Sequence, residues 1–173
     1  MPISTIGTDG IAAANVTQAK LATNVAGNGP AFRVVTLTNQ TVPHNTITVI
    51  NLDGVSIDTS SCVNTANKRV IPNVAGYYQV DAQLLIAENT GRMYYYAMYL
   101  RKNGSQVATA IFSHAATSGA EQTISTSSLI YCNGTTDYLD LAIYLYDYTS
   151  ATSVVVTSSS PGTFLSGFLA RAA

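Results

Sequence analysis

The sequence predicts an all-β protein built as a two-layer sandwich, and three observations carry that prediction. The first is composition: only 10% of the 173 residues are charged, against an average of about 25%, and Thr, Ser, Ala, Val and Tyr dominate. The second is spacing, because from Ala31 onward strand-like runs are broken by turn residues every eight to fifteen positions or so, the rhythm of a sandwich. The third is a period of two in the longer runs, which assigns one face to a core and the other to the outside. The length suits one domain with a short appendage and leaves nothing for a second core.

The appendage comes first. Residues 1–28 are rich in Gly, Ala, Thr and Asn, contain no aromatic residue and end in Gly27-Asn28-Gly29. Ile11, Ala14, Gln18, Leu21 and Val25 follow an approximate heptad, which allows a short three-stranded helical seam. Such a helix is marginal alone, and Gly7, Gly10 and the β-branched residues around them fit equally an extended segment ordered against a partner. In either form Ile3, Ile6, Ile11, Leu21 and Val25 are the apolar residues with which this arm would anchor. The domain proper is expected over residues 29–173.

Strand-like runs follow at 32–38, 46–50, 55–58, 67–71, 76–87, 92–102, 105–114, 122–132, 138–147, 152–157 and 163–170, and a sandwich of nine or ten strands is expected from them. Asn103-Gly104 between two of the runs is a hairpin signal, since a type I′ turn needs positive φ at both central residues. In the run from Tyr138, Leu139, Leu141, Ile143 and Leu145 form an aliphatic face for the core, opposite Tyr138, Asp140, Ala142, Tyr144 and Tyr146. A tyrosine-rich face suits burial against another subunit, where each hydroxyl finds a partner. The run 92–102 is apolar or aromatic on both sides, with Met93, Tyr95, Ala97 and Tyr99 on one and Tyr94, Tyr96, Met98 and Leu100 on the other. A lone sandwich covers only one face of each sheet, so this strand predicts packing across a protomer boundary. The expected interface residues are Tyr94, Tyr95, Tyr96, Tyr99, Tyr138, Tyr144 and Tyr146, with Asp140 bonded to neighbouring hydroxyls or to Arg92 of another subunit.

Little in the chain is equipped for chemistry. His44 and His114 are the only histidines, and no Gly-x-Ser-x-Gly elbow exists. The aspartates are isolated, without a calcium-loop pattern or a Cys-x-x-Cys or His-x-x-x-His pair. No glycine-rich loop opens a helix, so no cofactor is expected. A net charge of −1 with scattered Lys and Arg argues against nucleic acid. No apolar stretch is long enough for a membrane helix, and the N-terminal residues lack the pattern of a signal peptide. Cys62 and Cys132 are expected as buried thiols. The Asn-x-Ser/Thr triplets read as turn chemistry.

Four strings in fixed order carry a resemblance: GPAF at 29–32, PNVAGYYQV at 72–80, LRKNG at 100–104 and FLSGFL at 164–169. Together they resemble the globular C1q-like jelly roll, a family related to the tumour-necrosis-factor fold, over residues 29–170. The resemblance implies a ten-stranded jelly-roll β-sandwich that assembles as a homotrimer. Some relatives of this fold hold calcium near the trimer apex, but no motif for it is present in this chain. The join of the arm to GPAF looks like bacteriophage proteins that attach a C1q-like head to a virion. That likeness implies a virion protein made in the host cytoplasm, whose arm binds the major capsid protein or another virion protein. An arm this short supplies almost no shaft, which favours a capsid decoration or cement trimer. The alternative is a tail-fibre or tail-tip knob that meets a host surface receptor through loops 88–91, 115–120 and 148–151. Those loops are small and polar and offer no stacking platform for a sugar.

Overall fold

A computed structural model of the chain describes residues 27–87, 93–113, 121–147, 153–155 and 162–173. The described residues form thirteen strands and no helix: β1 (Ala31–Val35), β2 (Gln40–Val42), β3 (Ile47–Val49), β4 (Gly54–Asp58), β5 (Val63–Asn64), β6 (Arg69–Val70), β7 (Ala75–Ala87), β8 (Met93–Lys102), β9 (Ser105–Ser113), β10 (Gln122–Asn133), β11 (Leu139–Asp147), β12 (Ser153–Val155) and β13 (Phe164–Ala172). The arm residues Ile3, Ile6, Ile11, Leu21 and Val25, and the loops 88–91, 115–120 and 148–151, lie outside the described residues.

All pairings are antiparallel, in two sheets. The first runs β2-β12-β7-β13-β1-β4, with β10 along the other edge of β7; the second runs β5-β6-β11-β8-β9, with β3 also on β11. This is the jelly-roll sandwich that the four strings imply. β2 and β5 are additional to the runs read from sequence, because stretches of two or three residues carry no period.

β7 shows how the sequence selects the core. Tyr78, Val80, Ala82, Leu84 and Ile86 are at most 1% exposed, and the residues between them face outward. Tyr96, Met98 and Leu100 of β8 and Leu139, Leu141, Ile143 and Leu145 of β11 close the core from the second sheet. Two of the strings meet inside it. Gly167 of FLSGFL pairs with Phe32 of GPAF, and a Cβ at Gly167 would lie 2.7 Å from both the Phe32 ring and the Gln79 carbonyl oxygen. Only glycine leaves room for that ring to cross β13.

The LRKNG string is tied to the turn before β11. Asn103 and Gly104 have φ of 52° and 79°, the type I′ pattern. Asp137 accepts hydrogen bonds from Lys102 Nζ at 2.8 Å, Asn103 Nδ2 at 2.7 Å and Asn133 N at 2.9 Å. Asn103 Oδ1 in turn accepts from the Tyr138 amide.

The registers give the molecule two distinct ends. Ala75 pairs with Asn133 and Gly76 with Ala172, so the start of β7 lies beside the C-terminus; Pro30 O accepts from Leu169 N there as well. The arm therefore enters at the same end as the C-terminus leaves. The finish of β7, the start of β8, the finish of β9 and the finish of β11 all lie at the opposite, distal end.

Candidate assembly surfaces

The outer face of the second sheet carries most of the tyrosines singled out from sequence. Cross-strand partners place Tyr146 beside Tyr95, Tyr144 beside Ala97, and Ala142 beside Tyr99. Ala97 and Ala142 point outward yet are 0% exposed, because Tyr95, Tyr99 and Tyr144, all half-buried, flank them. The Tyr95 and Tyr144 rings meet edge to face at 6.1 Å, and Tyr144 Oη donates to Asn45 Oδ1 at 2.6 Å. His44 packs against the Tyr146 ring at 5.0 Å. Desolvation, with the hydroxyls of Tyr95 and Tyr144 close by, pushes the Tyr99 phenol above its ordinary range. The tyrosines of this face thus find partners within one chain, while Ile111 and Ile47 beside them stay 59% and 50% exposed.

Two sequence expectations change here. Tyr96 is 0% exposed and stacks on Phe112 at 5.1 Å in the core, so it cannot reach another subunit. Both sides of β8 are apolar, so its sequence pattern could not choose the inward side; the pairing of Tyr96 with Leu145 does. Asp140 bonds to Arg101 of its own chain, at 2.6 and 2.9 Å, and not to Arg92 of another subunit, because the two are direct cross-strand partners. Tyr138 stands apart at the arm end, with the Arg69 guanidinium 4.2 Å above its ring. The Tyr94 side chain lies outside the described residues.

The outer face of the first sheet was not singled out from sequence, and it too holds open apolar surface, as the second sheet does at Ile111 and Ile47. Leu129 is 59% exposed, Phe168 51%, Ile57 47%, Tyr77 43% and Tyr131 41%. Tyr77 and Tyr131 are cross-strand partners with rings 5.5 Å apart, and Gln79 sits between Leu129 and Phe168. The next row reads Ser127, Asp81, Ser166, Arg33 and Ile57 across five strands. Arg33 stacks on the Phe164 ring at 3.9 Å. Two hollows mark this face. One of about 370 Å³ lies between Tyr77, Leu129 and the C-terminal residues, and one of about 230 Å³ is floored by Ser166 and Gly167 and walled by Phe168, Ile57, Arg33 and Asp81.

Two thiols and one carboxyl are held by burial and local hydrogen bonds. Cys62 and Cys132 are free and buried, with burial pushing their thiols up to about 12 and about 11; at neutral pH neither supplies a thiolate nucleophile. Burial pushes the Asp58 carboxyl up, but hydrogen bonds from Cys62 N, Val63 N, Cys62 Sγ and Ser60 N outweigh it and hold the group below its usual value. Among the described residues no three His, Cys, Asp or Glu side chains gather as metal ligands.

No protein-family model matches the chain, and no curated protein matches it in sequence. Solved structures do match in shape. Murine APRIL superposes with a TM-score of 0.61 at 14% identity, over 81% of this chain and 98% of that one. Eiger TNF from S. frugiperda gives 0.63 at 11% identity, over 83% and 93%. The globular domain of zebrafish complement 1qA protein gives 0.57 at 10% identity, over 83% and 99%. At such identities the likeness concerns the fold, and the chain has the C1q/TNF-like jelly-roll fold.

Proposed function

We propose that this chain is a structural protein of a bacteriophage virion, a homotrimeric capsid decoration or cement protein held to the shell by its N-terminal arm. The assembly part rests on the outer face of the first sheet. A closed ring of three needs a heterologous contact, in which one patch of each protomer meets a different patch of the next. Here the patches are a projection, Leu129 with Tyr131 on β10, and a hollow between Phe168 and Ile57 on β13, β1 and β4. Among the described residues β10 is a sheet edge, which leaves the projection free to reach a neighbour. An apolar face this open on a chain with so little charge is otherwise an aggregation hazard.

The virion part is supported by the likeness of the arm-to-GPAF join to phage proteins. With the arm and the C-terminus at one end, three arms leave a trimer on the same side and its distal ends point away. Three weak attachments then act as one stronger attachment. A cryo-electron-microscopy reconstruction of the particle tests the reading: knobs at capsid threefold or quasi-threefold sites are expected. Density confined to the tail would overturn it and make the chain an adsorption knob that meets a host receptor.

A further inference from the structure

We infer that the distal tyrosine cluster on the second sheet, Tyr146 and Tyr144 with Asn45 and His44, is a binding site for an uncharged carbohydrate. The Tyr146 ring is 40% exposed and backed by the His44 ring at 5.0 Å, so it is a platform held in place before any ligand arrives. Beside it Tyr144 Oη donates to Asn45 Oδ1 at 2.6 Å. That bond fixes the side-chain amide, whose two N–H donors remain to serve a ligand. Asn45 is itself fixed, with φ of 56° and its amide N–H bonded to Leu145 O at 2.8 Å. Tyr95 lies beside Tyr146 in the same row, and Tyr144 and Tyr99 follow one and two rows further in.

Charge narrows the class of ligand. Apart from His44, the outward residues of these rows are Tyr95, Ala97, Tyr99, Thr109, Ile111, Ser113, Ala142, Tyr144, Tyr146, Asn45, Ile47 and Val49, none of them charged. On one side the next row holds Arg101 and Asp140, which neutralise each other, and on the other Asp147 follows Tyr146 and pairs with Met93. Within the rows of the cluster itself an anionic or cationic ligand finds no counter-charge. A purely apolar one would strip water from hydroxyls and amides and leave them unpaired, at a cost. A neutral sugar presents C–H groups to a ring and hydroxyls to donors and acceptors at its edge, and so matches both parts of the surface. The position agrees, since the cluster sits at the end opposite the arm and on the sheet opposite the proposed subunit contact. The site lies within one chain and does not depend on the trimer.

The experiment uses the full chain with neutral hexose and N-acetylhexosamine oligosaccharides, followed by ligand-observed NMR and an immobilised panel that includes sialylated and sulfated counterparts. Neutral oligosaccharides should bind; Tyr146→Ala should weaken binding about tenfold or more, the loss of one aromatic contact, and Tyr146→Phe should keep most of it. Asn45→Ala should weaken it as well. No binding of any neutral oligosaccharide, binding of charged ones alone, or binding that survives both Tyr146→Ala and Asn45→Ala would overturn the inference. So would a Tyr146→Ala protein that loses its oligomeric state, for the face would then be a subunit contact. Light scattering of Leu129→Asp keeps the two proposals separate: sugar binding by that variant supports this site whether it is a monomer or, with the assembly surface misplaced, still a trimer.

Discussion

Asp140 and Asp137 are carboxylates left 6% and 7% exposed in a chain with nine acids, and each persists because a cation lies within hydrogen-bond reach. Arg101 grips Asp140 through two bonds, with side chains 14% and 8% exposed, so breaking the pair leaves a buried charge. Arg101→Ala should cost about 3 kcal/mol in urea unfolding, whereas replacing both partners with apolar residues of similar volume should cost far less. Asp137, together with Asp58, contributes to the pH dependence. The Lys102 ammonium bonded to it holds its carboxyl below the ordinary value of 3.8, against the effect of burial and with help from Asn103 and Asn133. A carboxyl depressed in the folded state stabilises above its unfolded value, and that stability is lost as pH falls through the folded one. Thermal midpoints measured from pH 5 downward should therefore drop steeply below 3.8, and Asp137→Asn should be less stable at pH 5 with a flatter profile. An unchanged profile in that variant would remove Asp137 from the account.

At the scale of single elements, β7 was legible and β8 was not. Where one side is apolar and the other holds Gln79, Asp81 and Gln83, the period of two decides burial, and β7 buries the side it predicts. β8 has apolar or aromatic residues on both sides, so its pattern states that both are covered without saying which meets the core. The sheet answered by roofing Ala97 with its own tyrosines, and Tyr96 went inward. β10 held a signal that sequence reading passed over: its outward residues run Thr123, Ser125, Ser127, Leu129, Tyr131, and the change from hydroxyl to apolar toward the arm end marks the projecting patch. The glycine of FLSGFL was recognisable as part of a string, but its reason needed the partner strand, since Phe32 lies over it from the far end of the chain. Gly167→Ala should cost about 2 kcal/mol in unfolding free energy, as overpacking of a core does, and Phe32→Leu in the same chain should recover part of it. A neutral Gly167→Ala would mean that the Phe32 ring moves aside freely.

For the whole molecule, the two outer faces make opposite demands, and one pair of variants decides between them. The tyrosine face of the second sheet looked like the subunit contact in sequence because tyrosine is the residue of interfaces. In the structure its rings pack on one another and on His44, Tyr144 bonds to Asn45, and only Tyr146 among Tyr95, Tyr99, Tyr144 and Tyr146 stands as much as 40% clear. The first sheet shows Leu129 and Phe168 more than half exposed in adjoining positions around Gln79, whereas on the second sheet the comparably exposed Ile111 and Ile47 lie on opposite sides of the tyrosines. Leu129→Asp places a charge where a neighbour's hollow would close over it, and leaves the core untouched because the side chain points away from it. Size-exclusion chromatography with light scattering should then return a folded monomer for Leu129→Asp and a trimer for Tyr95→Asp; the reverse result would return the interface to the tyrosines. Deleting residues 1–28 should leave that trimer intact, since every contact invoked for it lies beyond Gly29, while the truncated protein should no longer join purified particles. Undiminished incorporation would show that the jelly roll itself grips the shell, and the arm would lose its role.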